Sequence, residues 1–169
     1  RIDTYTNLNG GIFLSLFNKV LASIGVGAAT VDTKLHKSSY TINEKVTGVV
    51  EVTGGNMEQQ IDAIYLTLYT SFVREVDDRK VNDQAALQNF QINEPFIIQA
   101  NEKREIPFSF TLPTTVPVTA GKSRVWIHTG LDIKNAVDPK DTDYIDVQPT
   151  RLASAVLSAV KSLGFRVRK

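Results

Sequence analysis

Between Glu105 and Pro113 the chain reads EIPFSFTLP, and its apolar residues recur at every second position: Ile106, Phe108, Phe110 and Leu112 against Glu105, Pro107, Ser109 and Thr111. A two-residue period is the repeat of a strand with one face buried. On a helix the same residues would scatter around the whole circumference. The period recurs along most of the chain. Val31, Thr33 and Leu35 oppose Asp32, Lys34 and His36. Lys45 to Thr53 (KVTGVVEVT) runs into the turn signal Gly54-Gly55-Asn56, and Ile61 to Val76 (IDAIYLTLYTSFVREV) runs into Asp77-Asp78. In the latter, Ile64, Leu66, Leu68 and Phe72 share one face and Tyr65, Thr67, Tyr69 and Ser71 the other. Leu87 to Gln99 carries weaker strand signals broken by Pro95, which predicts a bend or an edge. Ser123 to Ile133 points Val125, Ile127, Leu131 and Ile133 inward and Trp126 and His128 outward, and a last short strand covers Tyr144 to Gln148.

Some seven strands with turn signals between them and no interleaved helices predict an all-β, antiparallel two-sheet sandwich. Helical spacing is confined to the two ends. Ile12 to Ser23 places Phe13, Phe17, Val20, Leu21 and Ile24 on one stripe. Thr150 to Leu163 (TRLASAVLSAVKSL) places Leu152, Val156, Val160 and Leu163 on another, with Thr150 to cap it and Gly164 to stop it. The expected organisation is 1–12 as an expression remnant or disordered segment, 13–149 as the sandwich with its leading helix, and 150–169 as an amphipathic helix with a basic tail. Each helix is expected to cover an open end of the sandwich or, as the sharper reading, to offer a contact surface.

At 169 residues the chain suits a single core. Its 19 Lys and Arg against 18 Asp and Glu leave a net charge of +1, without the field that attracts nucleic acid. It has no Cys and no glycosylation sequon, which favours the cytoplasm. Ile12 to Ile24 is too short and too polar to span a membrane.

The motifs that suggest chemistry are weak. Gly121-Lys122-Ser123 resembles the end of a phosphate loop, but Val116 stands where that loop needs Gly and a strand follows. Asp132, Asp138, Asp141 and Asp143 cluster at a spacing that suits a hard cation, yet lack the Gly turn and terminal Glu of a calcium loop; backbone capping is the better reading. Catalysis has only His36 and His128 to draw on, and no catalytic residue, metal ligand or cofactor is assigned. Arg166, Arg168 and Lys169 form a small basic end that contributes little alone at physiological salt.

The most specific segments are KVLASIGVGAATVDT, QQIDAIYLTLYTSFVREVDD, KREIPFSFTLP, VPVTAGKSRVWIHTGLDIKNAVDPKDTDYIDVQP and the terminal SLGFR. By them the chain resembles the bacterial SpoOM sporulation-control family from about Ser15 to Arg168. The resemblance implies an arrestin-like (immunoglobulin-like) sandwich related to endosomal sorting subunits, a regulatory role in sporulation, and further sequence beyond this C-terminus. It supplies no catalytic residues. The expected function is a non-enzymatic adaptor acting through protein partners in sporulation or cell-cycle regulation, with self-association through the terminal helices as an added expectation. Its contact residues are expected at Leu152, Val156, Val160 and Leu163 and in the loop of Lys134, Asn135 and Asp138. The competing reading is a small-ligand or metal-dependent enzyme built on His128 and the Asp-rich loop.

Overall fold

The computed structural model of the protein describes residues 27–165. The helix expected at Ile12 to Ser23 and the remnant expected at 1–12 lie outside the described residues. Those described form nine strands and one helix: β1 (Thr30–Leu35), β2 (Ser39–Thr41), β3 (Lys45–Thr53), β4 (Gln59–Val76), β5 (Arg79–Gln91), β6 (Phe96–Ile98), β7 (Lys103–Thr111), β8 (Val125–Ile133), β9 (Lys140–Gln148) and α1 (Arg151–Ser162).

The alternation dictates two layers. A three-stranded sheet runs β1-β3-β7, and a six-stranded sheet runs β2-β9-β8-β4-β5, with β6 also on β4. Val46, Val50 and Val52 of β3 and Phe108 and Phe110 of β7 face Ile64, Leu66 and Leu68 of β4 and Ile127 and Leu131 of β8 across one apolar core. Each layer hides its apolar face only by packing on the other.

The all-β, two-sheet expectation holds, with one correction. The sandwich is not purely antiparallel, because β2 pairs with β9 in parallel, Tyr40 opposite Val147. The chain crosses from β1 in one layer to β2 in the other and back to β3, so β2 cannot be joined to β9 by a hairpin. The sequence signals miss β2, which is three residues long, and reach only the end of β5, from Leu87 on; β5 reads RKVNDQAALQNFQ, whose residues are half-buried at most.

The face predicted for β4 also needs amending. Ile64, Leu66 and Leu68 are buried, but Phe72 is 42% exposed, together with Val73, Val76 and Val81. The β4–β5 hairpin therefore projects past the core. Its two-residue turn, Asp77-Asp78, has φ of 50° and 59°, the paired positive values of a type I′ turn that matches strand twist. At the other end of β4, Gly54 and Gly55 are required by close backbone approach: a Cβ on either would stand 2.0 Å from a carbonyl oxygen, Gln99 O or Gly27 O. Gly121 turns with φ 62° ahead of β8, as a strand connector does.

Helix α1 starts where expected. Thr150 Oγ1 accepts a hydrogen bond from Ala153 N at 3.2 Å, and Gly164 ends it at φ 86°. It does not cover the sandwich: none of its residues is buried. Leu66→Ala should cost about 2–5 kcal/mol in chemical denaturation, whereas Val156→Ala should change stability by no more than about 0.5 kcal/mol.

Candidate interaction surfaces

The two long sides of the sandwich differ. On one side the edge strands β5 and β7 stand apart and leave a slot of about 260 Å³ lined by Phe90, Ile92, Pro107, Phe108, Ser109 and Phe110. Phe90 stacks on Phe110 with ring centroids 4.5 Å apart, so an apolar floor lies between two strand edges. Pro107 sits on the edge strand, where its missing N–H costs least.

The opposite side is closed. Thr33 of edge strand β1 donates its backbone N–H to Asp141 Oδ2 of β9 at 2.7 Å, and its hydroxyl shares a 2.6 Å bond with Thr129 of β8. Thr129 is fully buried, and Asp141 also accepts from Thr142 N. A side chain from one layer thus satisfies an edge amide of the other and stands where an added strand would pair. Next to this seam Asp143 directs Oδ2 into the interior, and that oxygen finds no hydrogen-bond donor. Burial pushes the Asp143 carboxyl up to about 6, helped by the neighbouring charge of Asp141, by the bond a protonated Asp143 would make to Asp141, and by Asp32.

On the outer face of the six-stranded sheet an aromatic row crosses three strands. Tyr69 stacks with Trp126 at 5.6 Å, Trp126 tilts against Tyr144 at 5.8 Å, and His128 meets the edge of Tyr69 at 6.2 Å. His128 Nδ1 lies 3.2 Å from Thr142 Oγ1. In register, His128 pairs with Thr142, while Ile127 pairs with Asp143 and Thr129 with Asp141. Alternation therefore puts His128 on the outer face and Asp141 and Asp143 on the inner face. The sheet itself separates them. His128 thus shares no cleft with Asp141 or Asp143, whereas Asp132, in the outward phase of β8, lies on the same face as His128. Asp138 is used otherwise again: its Oδ1 accepts from Ile133 N at 3.0 Å, the capping role expected of a turn Asp. His36 is likewise engaged at the surface, 2.9 Å from Thr47 Oγ1.

The residues expected to make contacts fall in two places. Lys134 and Asn135 are exposed at the tip of the β8–β9 turn, with Asn135 at φ 61° and Val137 beside them 49% exposed. Leu152, Val156, Val160 and Leu163 are 77%, 55%, 41% and 76% exposed on and after α1, joined by Leu157 and Phe165. Loop and stripe are separate surfaces. Sequence reasoning missed the slot, although Pro107 in an otherwise regular strand was a signal for an edge. It also missed the seam, which follows from Asp141 and Asp143 sharing the inward phase of Ile145.

The seam generates a pH dependence of definite sign. Asp143 has a folded-state pKa raised from 3.8 to about 6, so the stabilisation it provides is complete below the lower value and lost as pH rises through the upper. Asp143→Asn should melt higher than the parent at neutral pH, with a difference that vanishes toward about pH 4. Scanning calorimetry across this window checks it. A difference that does not change with pH would contradict the assignment.

Comparison with known proteins places the chain. The model of the SpoOM protein family matches residues 17–169. The sporulation-control protein Spo0M of Bacillus subtilis (strain 168) is 41% identical over 156 residues, covering 92% of this chain and 60% of that protein. The crystal structure of Spo0M from Bacillus subtilis superposes with a TM-score of 0.83 at 40% identity, over 85% of this chain and 59% of that one. The chain thus spans about three-fifths of the length of the relatives it matches. With a match that runs through both sheets and α1, the chain belongs to the SpoOM protein family.

Proposed function

We propose that this chain is a non-enzymatic regulatory adaptor of sporulation, acting in the cytoplasm through protein contacts on an arrestin-like scaffold. Its relative in Bacillus subtilis is named for sporulation control, and among the described residues no helix is long and apolar enough to cross a membrane. One observation carries the reading: a closed side stapled by Thr33, Thr129 and Asp141 stands against an open side where two strand edges flank a slot with aromatic rings at its base. An extended segment of a partner can pair with the edge of β5 or β7 and bury an apolar side chain against Phe90 and Phe110. The loop of Lys134, Asn135 and Asp138 supplies a second protein contact. The stripe of Leu152, Val156, Val160 and Leu163 supplies a further contact surface on the 150–169 segment, outside the 13–149 scaffold. No reaction is assigned, because the acid, base and nucleophile of a catalytic set do not converge.

The reading is tested by photo-crosslinkers placed singly at Ser109, at Asn135 and, as a control, at Asp62. In sporulating cells the first two positions should form the same discrete protein adducts, and these should be lost when the slot is filled by Ser109→Trp. Adducts at Asp62 alone, or adducts indifferent to the slot variant, would refute strand addition at the open side. Purified protein with a turnover abolished by His128→Ala would refute the adaptor.

A further inference from the structure

Resting on the reading of the open side as the place where a partner strand adds, we infer that this strand pairs antiparallel with β7 rather than β5, and that it carries aliphatic residues opposite Phe110 and Phe108 and a cation opposite Glu105. The backbone fixes the edge. Leu112 N donates to Glu44 O at 2.9 Å just past one end of β7, and Gly54 N donates to Glu102 O at 2.7 Å just past the other. An antiparallel ladder alternates between residues whose main-chain groups face the neighbour and residues whose groups face away. With Glu102 and Leu112 both turned to β3, the unbroken register between them turns Arg104, Ile106, Phe108 and Phe110 to β3 as well. Glu105, Ser109 and Thr111 are left with N–H and C=O aimed at the open edge, and Pro107 with a C=O alone. A visiting strand therefore gains two-way pairing at Thr111, Ser109 and Glu105, interrupted at Pro107.

β5 offers less. Ile92 N donates to Ile64 O at 3.1 Å, so by the same alternation only Asn89 and Gln91 aim outward beside the slot before the ladder with β4 ends at Gln91. Toward Arg79 the strand lines no part of the slot.

Side chains follow from the same phase. Phe108 and Phe110 point into the slot, so the visitor's residues directly opposite them point there too and meet Phe90. On β7 the lining stops at Pro107, and farther along the guanidinium of Arg104 lies 4.5 Å over the Phe96 ring, tying β7 to β6. The aliphatic positions are therefore confined to those opposite the two rings. On the outer face charge decides the next position. Asp32 stands opposite Glu51, and Glu51 opposite Glu105, in one row across β1, β3 and β7. Glu51 is matched by Lys34 at 2.9 Å and Lys103 at 3.5 Å, and Asp32 by Lys34 at 3.7 Å. Glu105, exposed at the edge end of the row, has no ion-pair partner among the described residues. A Lys or Arg opposite it completes the row. From its N-terminus the visitor thus runs aliphatic, any, aliphatic, any, any, basic.

The test uses the 169-residue chain and two fluorescein-labelled peptides, acetyl-STVTVTTKTS-amide and the same peptide with Glu in place of Lys. In fluorescence anisotropy the Lys peptide should bind about fivefold more tightly than the Glu peptide. Glu105→Lys, at an exposed position that leaves the core untouched, should reverse that order. Pro107→Ala restores the missing donor and should tighten both peptides about fivefold. With the Lys peptide bound, amide exchange should slow at Ser109 and Thr111 and stay unchanged at Asn89 and Gln91. Protection at Asn89 and Gln91 instead would move the visitor to β5 and overturn the inference. So would a peptide preference indifferent to Glu105→Lys, or no binding of either peptide. The Ser109 adducts in sporulating cells are read without any peptide. Their presence alongside such a failure keeps the adaptor, whereas their absence alongside peptide binding removes the adaptor and leaves the β7 edge as assigned.

Discussion

Everything in this fold depends on two sheets of unequal width sharing one apolar core. Three strands cannot cover six, so the layers meet fully along one side and part along the other. Where they meet, β1 approaches β8 and β9, and the bare backbone of β1 must be satisfied. Asp141 does this for the Thr33 amide, and the Thr33 hydroxyl is held by Thr129. Where they part, β5 and β7 leave a slot between their edges. The closed seam and the open slot are two consequences of the same mismatch.

The closed side carries a buried polar cost. Asp143 is held with one oxygen in the interior and another carboxylate as its neighbour. Such a group gains from a proton, which removes a charge from low dielectric and lets it donate to Asp141. The seam is therefore tightest when this pair holds a proton. Arrangements of this kind tie the packing of two layers to solution conditions without any catalytic role. His128 belongs to a different surface, with the stacked rings of Tyr69, Trp126 and Tyr144.

How much of this was legible in the sequence follows from what each residue spends its side chain on. β7 and β8 were readable because half of each is committed to the core, and Phe108, Phe110, Ile127 and Leu131 are buried on the predicted face. The capped end of α1 was readable because Thr150 and Gly164 act within one turn of themselves. The first half of β5, before Leu87, was not, since an edge strand on a projecting hairpin pairs its backbone while burying little. Phe72 looked like core because the period of β4 continues past the point where the opposing layer ends. The contact residues at Lys134, Asn135 and along α1 were found as exposed features, whereas the slot and the seam needed the third dimension. Phe90 and Phe110 are far apart in sequence, and so are Thr33 and Asp141.

The central claim is that one edge of the sandwich is sealed and the other, among the described residues, is left open. Native-state amide hydrogen exchange, resolved by residue, measures this directly. The Thr33 amide, though on an edge strand, should exchange as slowly as the buried ladder of β4 and β8, while the outward amides of β5 and β7 exchange rapidly. A rapidly exchanging Thr33 beside protected β5 and β7 edges would contradict the account.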